Sequence, residues 1–296
     1  MYRIYALLFS SYLVVFANSA AADMIRFPLS YDEYGAPVVE LEVSGERKRF
    51  ILDTGFEYTM ALAPADIEKM NSSLLALKSE RAVNVAGQVT SDKRFLFKNF
   101  ESNRLKVSNA IIIENANWAT TVDDNGTVKS SDSSSINMEY SIAGRGLFND
   151  YLVIFDFKQN EILLYSGSDR EKYIASNVLK EIDGSINKKG IEINAIVDDK
   201  YVVLVLDTGS TMSVVKLTGS HKYGVTDECH WQYPNIVDKF CYVGSFQYDS
   251  KSAAYPILVW NRILENFDTD GLLGMDNIKS TIFIIDFIDK KVYHKG

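Results

Sequence analysis

The tripeptide Asp-Thr-Gly occurs twice in this chain, at 53–55 and 207–209. Each copy closes an apolar run, "RFILDTGFEYTMAL" over 49–62 and "VVLVLDTGSTMSVV" over 202–215. Asp is a poor strand residue, and a carboxylate at the end of a buried run carries a desolvation penalty unless a partner meets it. A single copy would read as an ordinary strand-to-turn junction, because Thr and Gly after Asp suit a turn. Two copies in one context mark an internal repeat, and they point to a pair of carboxylates that work together.

The frames around the motifs match as well. "APVVELEVSGERKRFILD" alternates and turns at Ser44-Gly45, and "GIEINAIVDDKYVVLVLD" does so at Asp198-Asp199, so each motif ends a β-hairpin. "YSIAGRGLFNDYLVIFDFKQNEILL" from Tyr140 aligns without gaps on "DGLLGMDNIKSTIFIIDFIDKKVYH" from Asp270. That alignment places Gly144 on Gly274, Ile154 on Ile284, and Asp156-Phe157 on Asp286-Phe287. Each half thus reads as hairpin, Asp-Thr-Gly, a middle of variable length, apolar-apolar-Gly and closing strand. Helical spacing is confined to "PADIEKMNSSLLALK" after Pro64 and "SDREKYIASNVLKEI" from Ser168. The polar stretch 115–135 reads as an exposed loop. The expectation is an all-β chain of two related lobes, 23–167 and 188–296, joined by a linker over 168–187.

The N-terminus reads as an export signal over 1–22. A basic start in "MYR" precedes the apolar "IYALLFSSYLVVFA" and the small residues of "NSAAAD", with cleavage after Ala20 or Ala22. The run is short for a bilayer, which needs about 20 apolar residues, so no stable membrane insertion is expected after its removal. An exported protein, periplasmic or secreted, follows. In such a compartment Cys229 and Cys241 are expected to pair and close the loop "CHWQYPNIVDKFC", a closure worth roughly 3 kcal/mol. With 31 Lys and Arg against 39 Asp and Glu, the net charge of −8 and the absence of a basic block argue against nucleic-acid binding. There is no "HExxH", no zinc-spaced cysteine pair, no phosphate-binding glycine loop and no "GxSxG", and the three histidines are scattered. No metal and no cofactor are expected.

The doubled "DTG", with "IAG" and "LLG" downstream, resembles the aspartic proteases: two retropepsin-like lobes fused into a pepsin-like single chain. "DGLLGMDNI…IIDFIDKK" is similar to the retropepsin pattern, and the resemblance covers roughly 36–165 and 188–294. It implies a bilobal pepsin-like fold and an endopeptidase. Water would be activated by an Asp53/Asp207 dyad in the cleft between the lobes, acting on a peptide or protein bound in extended form. Because both half-sites lie in one chain, a monomer is expected. Physical chemistry agrees on the pair, since two carboxylates that meet cannot both ionise easily and share a proton. The resemblance also implies supporting roles. Thr54 and Thr208 would bond the opposite loop's backbone, and Gly55 and Gly209 would let their N–H groups reach the carboxylates. Gly144 and Gly274 would lie behind the site. A flap hairpin would have its tip near Ala86, Gly87 and Gln88. One residue departs from the pattern. Phe56 stands where such enzymes have Ser, Thr or Ala, whereas the second motif has Ser210, whose hydroxyl is expected on the outer oxygen of Asp207. The alternative is therefore a pepsin-fold peptide- or protein-binding module with weak or no catalysis.

Overall fold

The computed structural model describes residues 24–83, 89–114, 120–122, 128–130, 140–217, 241–248, 254–260 and 269–295. The fold is all-β, with strands filling most of the described chain and only short helices. Its two long hairpins form where sequence and turn chemistry agree. Pro37–Val43 pairs antiparallel with Glu46–Asp53, and Ser44 and Gly45 between them take φ of 54° and 79°. Ile191–Val197 pairs with Lys200–Leu206 across Asp198 and Asp199, at φ of 47° and 63°. Positive φ at both central residues is the two-residue turn whose twist matches that of the flanking strands.

Each hairpin delivers its motif into the same strand arrangement. In the first half the strand ending on Asp53 runs parallel to Ser141–Gly144, with Asp53 level with Gly144. Ser141–Gly144 is antiparallel to Met60–Leu62, which runs parallel to Leu105–Glu114, itself antiparallel to Val89–Ser102. The second half repeats this order. Lys200–Leu206 lies parallel to Gly271–Leu273, which is antiparallel to Val214–Val215. Val214–Val215 runs parallel to Tyr255–Trp260, and Tyr255–Trp260 is antiparallel to Cys241–Gln247. The first half adds an edge strand, Leu74–Val83.

A third sheet joins the halves. Its six strands run Ile25–Pro28, Glu161–Tyr165, Leu152–Asp156, Ile282–Asp286, Lys291–Lys295 and Leu179–Ile182. At its centre Ile154 lies opposite Ile284 in an antiparallel pair. These are the residues that the internal repeat aligns, so the approximate two-fold axis passes between them. The stretch 168–187 is built into the sheets: a helix over Gly167–Ser176, the edge strand Leu179–Ile182, then Gly184–Ile186 paired with Ile191–Val197. Phe155 and Phe283 of the shared sheet belong to one core cluster with Phe50, Leu52, Leu206 and Leu273. Burying each such side chain stabilises the fold by about 1.5–3 kcal/mol.

One local expectation changes. The helix after Pro64 ends at Met70, and a single 3-10 turn over Asn71–Ser73 leads into strand, so Leu74 to Lys78 is not helical. Leu74 and Leu75 face Phe97 and Leu96 across a ladder, and that pairing outweighs a helical spacing only a few residues long. Within 115–135, Thr120–Val122 and Val128–Ser130 form a two-stranded ribbon. Cys229 lies outside the described residues, as do Ala86, Gly87 and Gln88, so neither the disulfide nor the flap tip is described. Residues 1–22 are outside them too. No helix among the described residues is long and apolar enough to cross a membrane.

Candidate active site

The two Asp-Thr-Gly turns meet across the two-fold axis and interlock. Thr54 Oγ1 donates to the Leu206 carbonyl at 2.7 Å and accepts from the Thr208 N–H at 3.0 Å. Thr208 Oγ1 donates to the Leu52 carbonyl at 2.6 Å and accepts from the Thr54 N–H at 3.0 Å. Both threonines are fully buried, so these four bonds have no water to replace them.

The glycines make room for the opposite carboxylate. A methyl group on Gly55 would sit 2.9 Å from Cγ of Asp207, and one on Gly209 would sit 2.7 Å from Cγ of Asp53. Each turn also wraps its own aspartate. Phe56 N–H donates to Asp53 Oδ1 at 3.0 Å, and the Gly55 N–H binds the same carboxylate. Gly209 and Ser210 N–H donate to Asp207 Oδ1 at 2.9 and 3.2 Å. Behind the turns, Arg145 N–H bonds the Phe56 carbonyl and Met275 N–H bonds the Ser210 carbonyl, each at 2.9 Å. Gly144 and Gly274 sit at these contacts. Added methyl groups would come within 2.2 Å of the Tyr58 oxygen and 2.5 Å of the Met212 oxygen.

Asp53 and Asp207 share a hydrogen bond. Each residue keeps a partly exposed surface, yet loss of hydration is the largest influence on each carboxyl group. It pushes Asp53 well above the usual carboxylate range, and repulsion from Asp207 and the shared hydrogen bond push the same way. Asp207 is raised by burial too, opposed by its bond with Asp53 and by the Gly209 and Ser210 N–H groups. A pair in this state holds one proton between two oxygens and offers both a base and an acid.

The side chains after the glycines differ. Phe56 packs edge-on against Tyr58 at a centroid distance of 5.5 Å and lies against Gly144, over the cluster of Ala61, Ile113 and Ile142. The Ser210 hydroxyl donates to the Met212 carbonyl at 2.8 Å, and the support Ser210 gives Asp207 comes from its N–H. A carbonyl two residues ahead is a ready local acceptor for a serine in a turn.

Sequence reasoning missed two groups. Arg145, directly after Gly144, is a buried cation, and the aligned position in the second half is Met275. Comparing the halves residue by residue exposes that difference. The other group is Tyr58, whose hydroxyl donates to Glu80 Oε2 at 2.8 Å on the hairpin formed by Leu74–Val83 and Val89–Ser102. Glu80 also pairs with Arg94, whose Nε donates to the Lys78 carbonyl at 3.0 Å across a register shift. The hairpin expected to act as a flap is thereby tied, in its outer half, to the segment that follows Gly55. Among the described residues no cluster of three or more His, Cys, Asp or Glu is placed to hold a metal ion.

These features define a class: an all-β chain of two related halves that brings one carboxylate from each to a shared, interlocked site. No protein-family profile and no curated protein sequence matches the chain. Among solved structures it is similar to a retropepsin-like aspartic protease from Rickettsia conorii, at 13% identity and a TM-score of 0.32 over 48% of this chain and 92% of that one. It is also similar to the Basic 7S globulin of soybean, at 8% identity and a TM-score of 0.49 over 93% of this chain and 95% of that one. Both likenesses are low in identity and score.

Proposed function

We propose that the chain is an aspartic-type endopeptidase. The observation that carries this reading is the Asp53–Asp207 pair, hydrogen-bonded across the approximate two-fold axis and held by interlocked buried threonines. An ionised carboxylate of the pair takes a proton from a water molecule as its oxygen bonds to the peptide carbonyl carbon. The protonated partner gives its proton to the carbonyl oxygen. When the C–N bond breaks, the amine nitrogen leaves with a proton from the pair while a hydroxyl of the tetrahedral diol gives its proton back as the new carboxyl group forms, so the pair returns to its singly protonated state. The substrate is a peptide or protein in extended form, laid between the halves and paired as an added strand with the hairpin of Leu74–Val83 and Val89–Ser102. The enzyme acts as a monomer, because one chain supplies both aspartates, and as an exported one, because residues 1–22 read as a signal.

Phe56 motivates a second reading, a peptide-binding module with weak or no turnover. The two are separated by incubating the chain without residues 1–22 with a peptide library between about pH 3 and 8, the range over which a carboxylate pair can work. Mass spectrometry reads the cuts, with Asp207→Asn as control. Cuts that vanish in the control establish the endopeptidase. A folded protein that binds peptides and cuts none at any pH refutes it in favour of the binding module, with Phe56→Ser the first reversion to make.

A further inference from the structure

Arg145 breaks the symmetry of the site. Its backbone follows the two-fold relation, with its N–H on the Phe56 carbonyl just as the Met275 N–H is on the Ser210 carbonyl. Its side chain has no counterpart. Arg145 is 6% exposed, and its Nη1 donates to the Gly55 carbonyl at 3.1 Å and the Thr54 carbonyl at 3.4 Å. Its Nη2 donates to the carbonyls of Asn187 and Lys188 at 2.8 Å for Lys188 and 3.2 Å for Asn187. The Thr54 and Gly55 carbonyls belong to the two peptide groups whose N–H ends, on Gly55 and Phe56, bind the Asp53 carboxylate. A cation on the oxygen end of a peptide group makes its N–H a stronger donor, by the cooperativity of linked hydrogen bonds. The aligned position in the second half is the buried, apolar Met275, which can donate no such bonds.

We propose that Arg145 is a positioning residue for Asp53: its guanidinium holds and polarises the two peptide groups that bind the Asp53 carboxylate, at one half-site only. The effect favours ionisation of Asp53 and works against the burial and repulsion that hold its proton. Other charges bear on the same spot. Asp207 faces Asp53 directly, and Glu57 approaches Arg145 at 3.7 Å and opposes it. Lys188 and Lys290 line, with Glu57 and Arg145, an adjacent cavity of about 280 Å³. Burial pushes the guanidinium below its usual value while Glu57 and Asp53 push it back up, and arginine stays charged throughout. The anchor on Asn187 and Lys188 matters as well. It ties the loop around Asp53, through the cation, to the segment that enters the second half.

A consequence for catalysis rests on the endopeptidase reading, whereas the effect on Asp53 does not. The first test is therefore a carbon-13 carboxyl NMR titration of Asp53 in an Asp207→Asn background, where a single titrating carboxyl remains in the site. Arg145→Met should move the Asp53 midpoint upward by about one pH unit, the scale of a lost neighbouring cation. Arg145→Lys, which keeps the charge but not the two-pronged fork, should move it less. The Phe56 amide proton should shift upfield in Arg145→Met as its peptide group loses polarisation. An unchanged midpoint in folded Arg145→Met overturns the proposal, as does a shift in Arg145→Lys as large as that in Arg145→Met. Should Arg145→Met fail to fold, Arg145→Gln supplies the neutral comparison. Failure of both neutral variants to fold would make Arg145 a structural strut and overturn the proposal too. In the otherwise wild-type enzyme the acidic limb of kcat/KM should move upward in Arg145→Lys with KM unchanged. Absence of any cleavage would sink the endopeptidase reading and leave the titration to stand on its own.

Discussion

Replacing Thr208 by Val tests whether the interlocked turns hold the two halves together. Val has nearly the shape of Thr, so no cavity opens and only the hydroxyl is lost. Two backbone groups are then stranded: the Leu52 carbonyl, which accepts from Thr208 Oγ1 at 2.6 Å, and the Thr54 N–H, which donates to it at 3.0 Å. Both surround a residue with no solvent exposure, so water does not step in. An unsatisfied buried group costs about 1–3 kcal/mol, and two of them give about 2–6 kcal/mol. That is a large share of a total stability of about 5–15 kcal/mol. Thr208→Ser is the control, since it keeps the hydroxyl and loses one methyl, worth about 0.8 kcal/mol. Urea unfolding at fixed pH reads both variants, and the midpoint for Val should fall well below that for Ser with an unchanged m value. A Val variant as stable as the Ser variant would refute the reasoning. Thr54→Val should behave alike, and the double variant should lose less than the two single losses added, because loops already released admit water.

Three further outcomes follow from the same geometry. Both aspartates have folded-state pKa values raised above the unfolded ones, so the folded chain binds their protons more tightly. The stability this gives is fully present below the unfolded value of about 3.9 and is lost as pH rises. Asp207→Asn should therefore raise the Tm at pH 7 and lose that advantage toward pH 3, at about 1.4 kcal/mol for each unit of raised pKa; an advantage that stays constant with pH contradicts the assignment. Gly274→Ala brings a methyl group to 2.5 Å from the Met212 oxygen, and the forced backbone shift should destabilise the fold by about 1–3 kcal/mol and abolish the proposed cleavage. A variant that keeps wild-type stability and cleavage would show that the loop has slack. Arg170→Met strands Asp286, which is fully buried and receives the Arg170 Nε at 3.1 Å. A loss of about 3–5 kcal/mol is expected in chemical unfolding, and a loss under 1 kcal/mol would mean that water reaches Asp286.

The features legible in the sequence were those set by local chemistry or by repetition. Ser44-Gly45 and Asp198-Asp199 announce their hairpins because few residues accept positive φ at both turn positions. The gapless alignment of the closing strands pairs Ile154 with Ile284, and symmetry then puts them opposite each other in the shared sheet. The side-by-side placement of Asp53 and Asp207 was legible for the same reason. The end of the first helix was not, because the leucines of "SSLLALK" fit a short helix and a strand equally well, and the ladder to Phe97 decides the matter. Nor was the Ser210 hydroxyl legible, since an acceptor two residues on competes with the carboxylate and only coordinates show which is taken. Arg145 stands out in the sequence against the aligned Met275, but what it holds was hidden for a third reason. Its partners are backbone carbonyls at positions 54, 55, 187 and 188, and a carbonyl has no letter in a sequence.

The strand order around the site is kept apart from the first half's extra edge strand, while the side chains at the site itself depart from symmetry. A symmetric dimer makes every substitution twice, once in each half-site, so a cation behind one aspartate would also stand behind the other. A single chain is free of that constraint. Here Phe56, Glu57 and Arg145 surround Asp53, whereas Ser210, Thr211 and Met275 take the aligned places around Asp207. A pair that shares one proton has two arrangements of it, equal in energy only when the surroundings are equal. Different neighbours make one arrangement the lower, so the base and the acid of the proposed reaction are assigned before a substrate arrives. An extended peptide has a direction, and a site with unlike halves can bind it one way round. Swapping the side chains at the aligned positions, Arg145→Met together with Met275→Arg, tests this directly. Asp53, on which burial, repulsion and the shared hydrogen bond already favour the proton, should hold it more tightly once the cation stands behind Asp207, seen as a wider gap between the Asp53 and Asp207 titration midpoints by carboxyl NMR. A gap that stays the same or narrows in a folded double variant would show that Arg145 does not bias the pair.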